Sequence, residues 1–264
     1  MILLDHGGAG RGGSRLLPAG RLGDLVEHWG IQDPGTWAVA PRAWRVIADP
    51  APHLIVTFGP RGFRGVVVGS RTRYVDVDST GRLFLVAARL RPGVLPALTG
   101  VPASGFTDRG LSIEDVFGSR TLRATGVFDE PEPSAIAAGL GRLLGRARRD
   151  RAARNTRLVR AVLDAVRVGD AAADSGRSPR RLHHQVIELA GMSPRRLRRV
   201  DRLGRALALG LHDPALPWSA VAALAGFADQ PHLVREFRTL LGVAPSAWRQ
   251  LGADAFKTPA RAAG

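Results

Sequence analysis

A chain of 264 residues with 45% hydrophobic and 23% charged residues has the length of two ordinary domains and the balance of a folded protein, which excludes the disordered and fibrous classes. It has no cysteine, so disulfides, thiolate nucleophiles and cysteine-based zinc sites fall away together. No stretch approaches the roughly 18 apolar residues that cross a membrane.

Residues 1–4 are too short for the apolar part of a signal peptide, so the expected location is the cytoplasm, with no membrane partner. The formal charge of +15 calls for a polyanionic partner, because clustered cations attract phosphates and release their counterions. That charge is lopsided. Residues 1–140 hold 15 Lys/Arg against 13 Asp/Glu, net +2, while residues 141–264 hold 23 against 10, net +13.

Residues 1–20 begin with a glycine-rich run without periodicity and read as a flexible arm. Gly8, Gly10 and Gly13 have the GxGxxG spacing of dinucleotide turns, but that motif works only between a buried strand and a helix. Pro18 and Gly20 interrupt whatever follows, so no such site is assigned. Within 21–130, short β-branched and apolar runs at 44–48, 54–58, 66–68, 74–77 and 83–90 predict an antiparallel sheet or small barrel. Pro92-Gly93 stops the last strand, and 94–98 and 112–117 read as short helices, the second capped by Ser112. The predicted class of this half is α+β. Trp37, Trp44, Phe58 and Phe63 offer aromatic surface for a pocket, though ordinary core packing explains them more simply.

The acidic, proline-bearing Glu130-Pro131-Glu132-Pro133 falls where the charge balance changes and marks the boundary, with 131–154 read as linker and connecting helix. Beyond it, 134–154 and 156–168 carry helical apolar spacing, and the remainder is predicted all-α.

The most informative stretch is Ala222-Ala223-Leu224-Ala225-Gly226-Phe227, followed at once by a second helical pattern. Small residues allow close helix approach, and Gly226 permits the positive φ of a tight turn, which is the grammar of a helix-turn-helix. In the second helix Leu233, Phe237, Leu240 and Leu241 form the buried stripe. Pro231, Arg235 and Arg238 then lie opposite it, with Gln230 at the exposed tip. The grammar occurs once earlier. Residues 171–176 end a supporting helix and its turn, and Ser178-Pro179 opens a helix with Leu182, Val186 and Leu189 inward. Arg180 and His184 fall opposite that stripe, flanked by Arg181 and His183. The intervening helix, 194–209 with Ser193 as cap, is about 24 Å long.

These motifs resemble the AraC/XylS-type DNA-binding domain over residues 155–250. The second unit carries the likeness at Gly226-Phe227, Leu233, Phe237, Gly242 and Ala244-Pro245, the first at Ser178, Leu182, Gly191 and Ser193-Pro194. The first departs from the pattern at Val186, where a larger aromatic is usual, and at Ile187, which faces outward. Residues 251–264 are left as a tail. In the first half, 89–93, 98–103 and 107–109 resemble a β-rich sensor domain attached to such regulators in actinobacteria. The resemblance implies a sequence-specific regulator whose two recognition helices enter successive major-groove segments of duplex DNA. It also implies an unidentified small-molecule effector or partner at the N-terminal domain. RNA polymerase and a second copy of the chain are further candidate partners.

The expected DNA contacts are Arg180, Arg181, His183 and His184 from the first recognition helix, and Gln230, Pro231, Arg235 and Arg238 from the second. Arg235 can donate two hydrogen bonds to guanine and Gln230 can pair with adenine, while Arg238, farther along, meets phosphate. His183 and His184 diverge by about 100° around the helix and have no accompanying carboxylates, so no metal is expected. Trp218 and Trp248 sit beside apolar stripes and are expected in the core. No GxSxG, HExxH or GxxxxGK[ST] pattern occurs, so neither an enzyme nor a cofactor is expected. A non-specific nucleoid- or ribosome-associated protein would share the charge but has no need of two distinct reading helices. A stand-alone small-molecule-binding protein would need only the first half.

Overall fold

The computed structural model describes residues 14–32, 43–78, 84–150 and 178–251. Strands are β1 (Ser14–Pro18), β2 (Val26–Gln32), β3 (Ala43–Val46), β4 (His53–Gly59), β5 (Gly62–Val68), β6 (Val75–Asp78), β7 (Phe84–Leu90) and β8 (Gly110–Ser112). Helices of the first half are α1 (Val94–Thr99), α2 (Ile113–Phe117), α3 (Ser119–Thr125) and α4 (Pro133–Asp150). Those of the second are α5 (Pro179–Ala190), α6 (Pro194–His212), α7 (Trp218–Ala225), α8 (Gln230–Leu241) and α9 (Pro245–Leu251).

The N-terminal domain is a six-stranded antiparallel sheet in the order β1-β2-β7-β4-β5-β8, with β3 and β6 paired separately. The most apolar strand, β7, lies inside it between β2 and β4, where both faces are covered, and all but Arg89 of its residues are buried. Toward the β8 edge, β5 is more exposed. Gly62, at φ +84°, closes the tight β4–β5 hairpin, a conformation that costs glycine nothing. As expected, Ser112 caps α2, its hydroxyl accepting from the Glu114 N–H at 3.1 Å.

Three expectations are corrected at the level of elements. Residues 14–18, assigned to the flexible arm, form β1 and pair with β2 from Ser14 opposite Gln32 to Pro18 opposite His28. The strand β2 itself was missed, because Glu27, His28 and Gln32 break its apolar pattern. The described part of the stretch 131–154, up to residue 150, is not a mere connector. Ile136, Leu140, Leu143, Leu144 and Ala147 of α4 form one stripe buried in the core of the N-terminal domain, each large side chain contributing roughly 1.5–3 kcal/mol. The stripe had the right period, but the prolines before it read as a boundary when they only start the helix.

Phe58 and Phe63 pack on each other and on Phe84 and Phe128, with ring centroids 4.9–5.6 Å apart, so they belong to the partly buried margin of the core. Trp37, the Trp44 side chain, residues 1–13, the helical reading at 156–168, the first supporting helix and turn at 171–176, and 252–264 lie outside the described residues.

Buried polar groups gather where the sheet meets the helical half. Cross-strand register places Arg89 beside His28 of β2 and His53 of β4. Arg89 donates to Asp49 through Nη2 at 2.6 Å and Nε at 3.1 Å, and pairs with Glu27. Asp49 also accepts from the Ala51 N–H at 2.9 Å. Just before it, Ile47 and Ala48 turn away from their own domain and enter the apolar core of the helical half, beside Val200 and Leu207. The two halves therefore share part of one core.

Candidate nucleic-acid interface

The two helices expected to read DNA, α5 and α8, are built the same way. On α5, Ser178 accepts from the Arg181 N–H at 3.4 Å and Pro179 occupies the first turn. On α8, Asp229 accepts from the His232 N–H at 2.6 Å and Pro231 lies in the first turn. Each hydroxyl or carboxylate satisfies a donor that the helix leaves open, and each helix ends on a left-handed glycine, Gly191 at φ +73° and Gly242 at φ +76°.

The inward stripes are Leu182, Val186 and Ala190 on α5, and Leu233, Phe237, Leu240 and Leu241 on α8. Leu189 is only partly buried and packs at the edge of that core, with Ala190 taking the inner position. Ile187 is half-buried instead of open. What remains outward is the expected set: Arg180, Arg181, His183 and His184 on α5, and Gln230, Pro231, Arg235 and Arg238 on α8, all exposed.

The second unit is described in full. After α7, Gly226 at φ +83° and Phe227 turn the chain back by donating their N–H groups to Ala223 and Ala222. Phe227 is buried, and the His232 ring meets it edge-on at 5.4 Å. Trp248 of α9 is fully buried and packs against Trp218 and Phe237. The two units are joined by α6, whose 19 residues extend roughly 28 Å.

Periodicity missed a second layer. Arg199 of α6 forms a two-pronged ion pair with Glu236 of α8, at 2.8 and 3.0 Å, which pins α8 to the spacer. Glu236 is 9% exposed, and the Arg199 pair, with His232 Nε2 at 3.9 Å, accounts for an acid in the buried face of α8. Arg202 sits over the Phe227 ring at 5.7 Å, and Arg249 over Trp218 at 4.2 Å, both within cation–π range. Among the described residues no three His, Asp or Glu side chains are grouped to hold a metal, and no helix is long and apolar enough to cross a membrane.

A sheet domain fused to paired, capped helices with open cationic faces on a rigid spacer defines a DNA-binding transcription regulator. Residues 171–251 match the family described as "Helix-turn-helix domain", and residues 14–112 match "Domain of unknown function (DUF6597)". The chain thus carries an AraC-type helix-turn-helix domain behind a DUF6597 domain.

No curated protein matches it. Among solved structures, ToxT from Vibrio cholerae O395 aligns with a TM-score of 0.39 and 9% identity over 80% of this chain and 97% of that one. Another ToxT crystal form from Vibrio cholerae gives 0.40 and 8% over 80% and 98%.

Proposed function

We propose that the chain is a sequence-specific regulator that reads duplex DNA with α5 and α8 in successive major-groove segments. The observation that carries this is the exposure of all eight outward residues on two helices that a shared core and one continuous spacer hold in place. Preorganised helices with free arginine forks suit guanine edges, and the flanking cations suit phosphates. Regulation through the N-terminal domain is part of the same reading. A cleft of about 290 Å³ lies between the domains, with Glu27, Asp49 and Arg89 on one wall and Asp201 and Arg205 on the other. A small polar effector bound there would touch both halves. Contact with RNA polymerase, self-association and a cytoplasmic location complete the proposal.

The test is selection of duplexes from a random-sequence library by the full chain, followed by affinities of Arg235→Ala and Arg238→Ala. Arg235 lies in the first two turns of α8, the part that reaches base edges. Its loss should cost about 1–3 kcal/mol on the selected site and relax preference at one or two base pairs. Loss of Arg238 should weaken selected and random duplexes alike and reduce the slope of log K against log salt by about one unit. A library that yields no enrichment would favour a non-specific nucleic-acid-binding protein and overturn the proposal.

A further inference from the structure

We infer that Thr107 of the N-terminal domain is a positioning residue for the first recognition helix, holding its carboxyl end and so setting how α5 meets DNA. The inference rests on the DNA-reading role proposed above. Gly191, the glycine that ends α5, lies in a socket of the other domain. The Thr107 hydroxyl donates to its carbonyl oxygen at 2.6 Å. A Cβ placed on Gly191 would strike Thr107 Oγ1 and lie 2.5 Å from Ser70 Oγ and 3.0 Å from the Ala103 carbonyl. Only glycine fits, both for space and for its left-handed φ.

The socket is built beforehand by the N-terminal domain. Its two walls, residues 70–72 and 103–108, are tied together by Asp108, whose carboxylate accepts from the Thr72 N–H at 2.8 Å and the Thr72 hydroxyl at 2.5 Å. The Asp108 N–H in turn donates to the Ser70 carbonyl at 2.9 Å. Beside it, Leu189 and Ala190 line a small crevice with Pro50, Leu95, Pro96 and Phe106.

Docking at this end leaves the reading end free. Arg180, Arg181, His183 and His184 all remain exposed, so the contact aims α5 without covering it. A helix of 12 residues is roughly 18 Å long, and a restraint at one end fixes the angle at which the other enters a groove. The residues lining these two interdomain crevices include none from the second unit. There α8 is held by Arg199–Glu236 and by Arg202 on Phe227. The two reading helices therefore answer to different restraints, and a change in the N-terminal domain reaches the first directly.

The experiment uses the full chain and a duplex enriched by it from a random-sequence library, with two further duplexes in which one half or the other is scrambled. The half read by α8 is the one whose scrambling costs Arg235→Ala least. Thr107→Val keeps the side-chain shape and removes the hydroxyl, whereas Thr107→Ser keeps the hydroxyl. For Thr107→Val the affinity for the enriched duplex should fall roughly two- to ten-fold, the range of one neutral hydrogen bond. The penalty for scrambling should shrink at the α5 half and persist at the α8 half, with Thr107→Ser behaving as the native chain. Penalties unchanged at both halves, or reduced equally at both, would overturn the inference, since a merely structural loss does not choose between halves. Failure of the native chain to enrich any duplex would instead overturn the DNA-reading proposal, before any variant is compared.

Discussion

The arginines of the helical half divide by what holds them, and residue type alone does not say which are open to DNA. Arg180, Arg181, Arg195, Arg196, Arg235 and Arg238 are exposed, whereas Arg199 is joined to a buried carboxylate and Arg249 lies over Trp218 and donates to the Leu216 carbonyl at 2.7 Å. Arg199→Ala should destabilise the chain by about 1–3 kcal/mol, less than a fully buried pair because the arginine is partly open to water. Arg195→Ala, on the same helix but exposed, should stay within about 0.5 kcal/mol. Denaturant melts of the two variants check this, and equal losses would mean that the Arg199–Glu236 pair does not hold α8. The exposure of Arg180, Arg181, Arg235 and Arg238 was legible because a helix face follows from spacing. The internal set was not, because burial of Glu236 depends on a partner 37 positions away, which no local pattern encodes.

Elements show the same limit. The strand β7 and the helix α8 announced themselves by runs and stripes, but β1 lies at the sheet edge and β2 beside it, and their mixed composition makes sense only once β2 is paired between β1 and β7. The polar row across β2, β7 and β4 is the clearest consequence of that pairing. Burial pushes His28 below the usual imidazole range, with Asp49 opposing. A folded-state value below the unfolded one means that the unfolded chain takes up the proton first, so stability is full above the ordinary pKa near 6.5 and is lost as pH falls below it. The native chain should therefore lose more melting temperature between pH 7.5 and pH 5.5 than His28→Gln does. Matching losses would show that His28 is not held neutral by the fold.

At the scale of the molecule, the contrast between a nearly neutral N-terminal half and a strongly basic helical half was legible from the sequence, but the surface joining them was not. Ile47 and Ala48 follow strand β3 and looked like its continuation, yet they join the core of the helical half, just before Asp49 bridges to Arg71. A chain of residues 151–264 carries 19 Lys/Arg against 9 Asp/Glu and keeps α5 and α8, so it should still bind duplex DNA, and the slope of log K against log salt should change by less than about one unit. It should also lose the cover that Ile47 provides, worth about 1.5–3 kcal/mol for a fully buried isoleucine, and the cap on Gly191. For a helical unit of this size such a loss lowers the melting temperature by on the order of 10 °C. Sequence preference should then fall chiefly in the half read by α5, because α8 keeps its ties to α6 through Arg199 and Arg202. The measurements are a thermal melt, a salt titration of affinity and the scrambled-half duplexes applied to this shorter chain. A fragment that melts with the full chain and discriminates equally at both halves would show that the domains are merely tethered, and that the docked surface contributes neither stability nor aim.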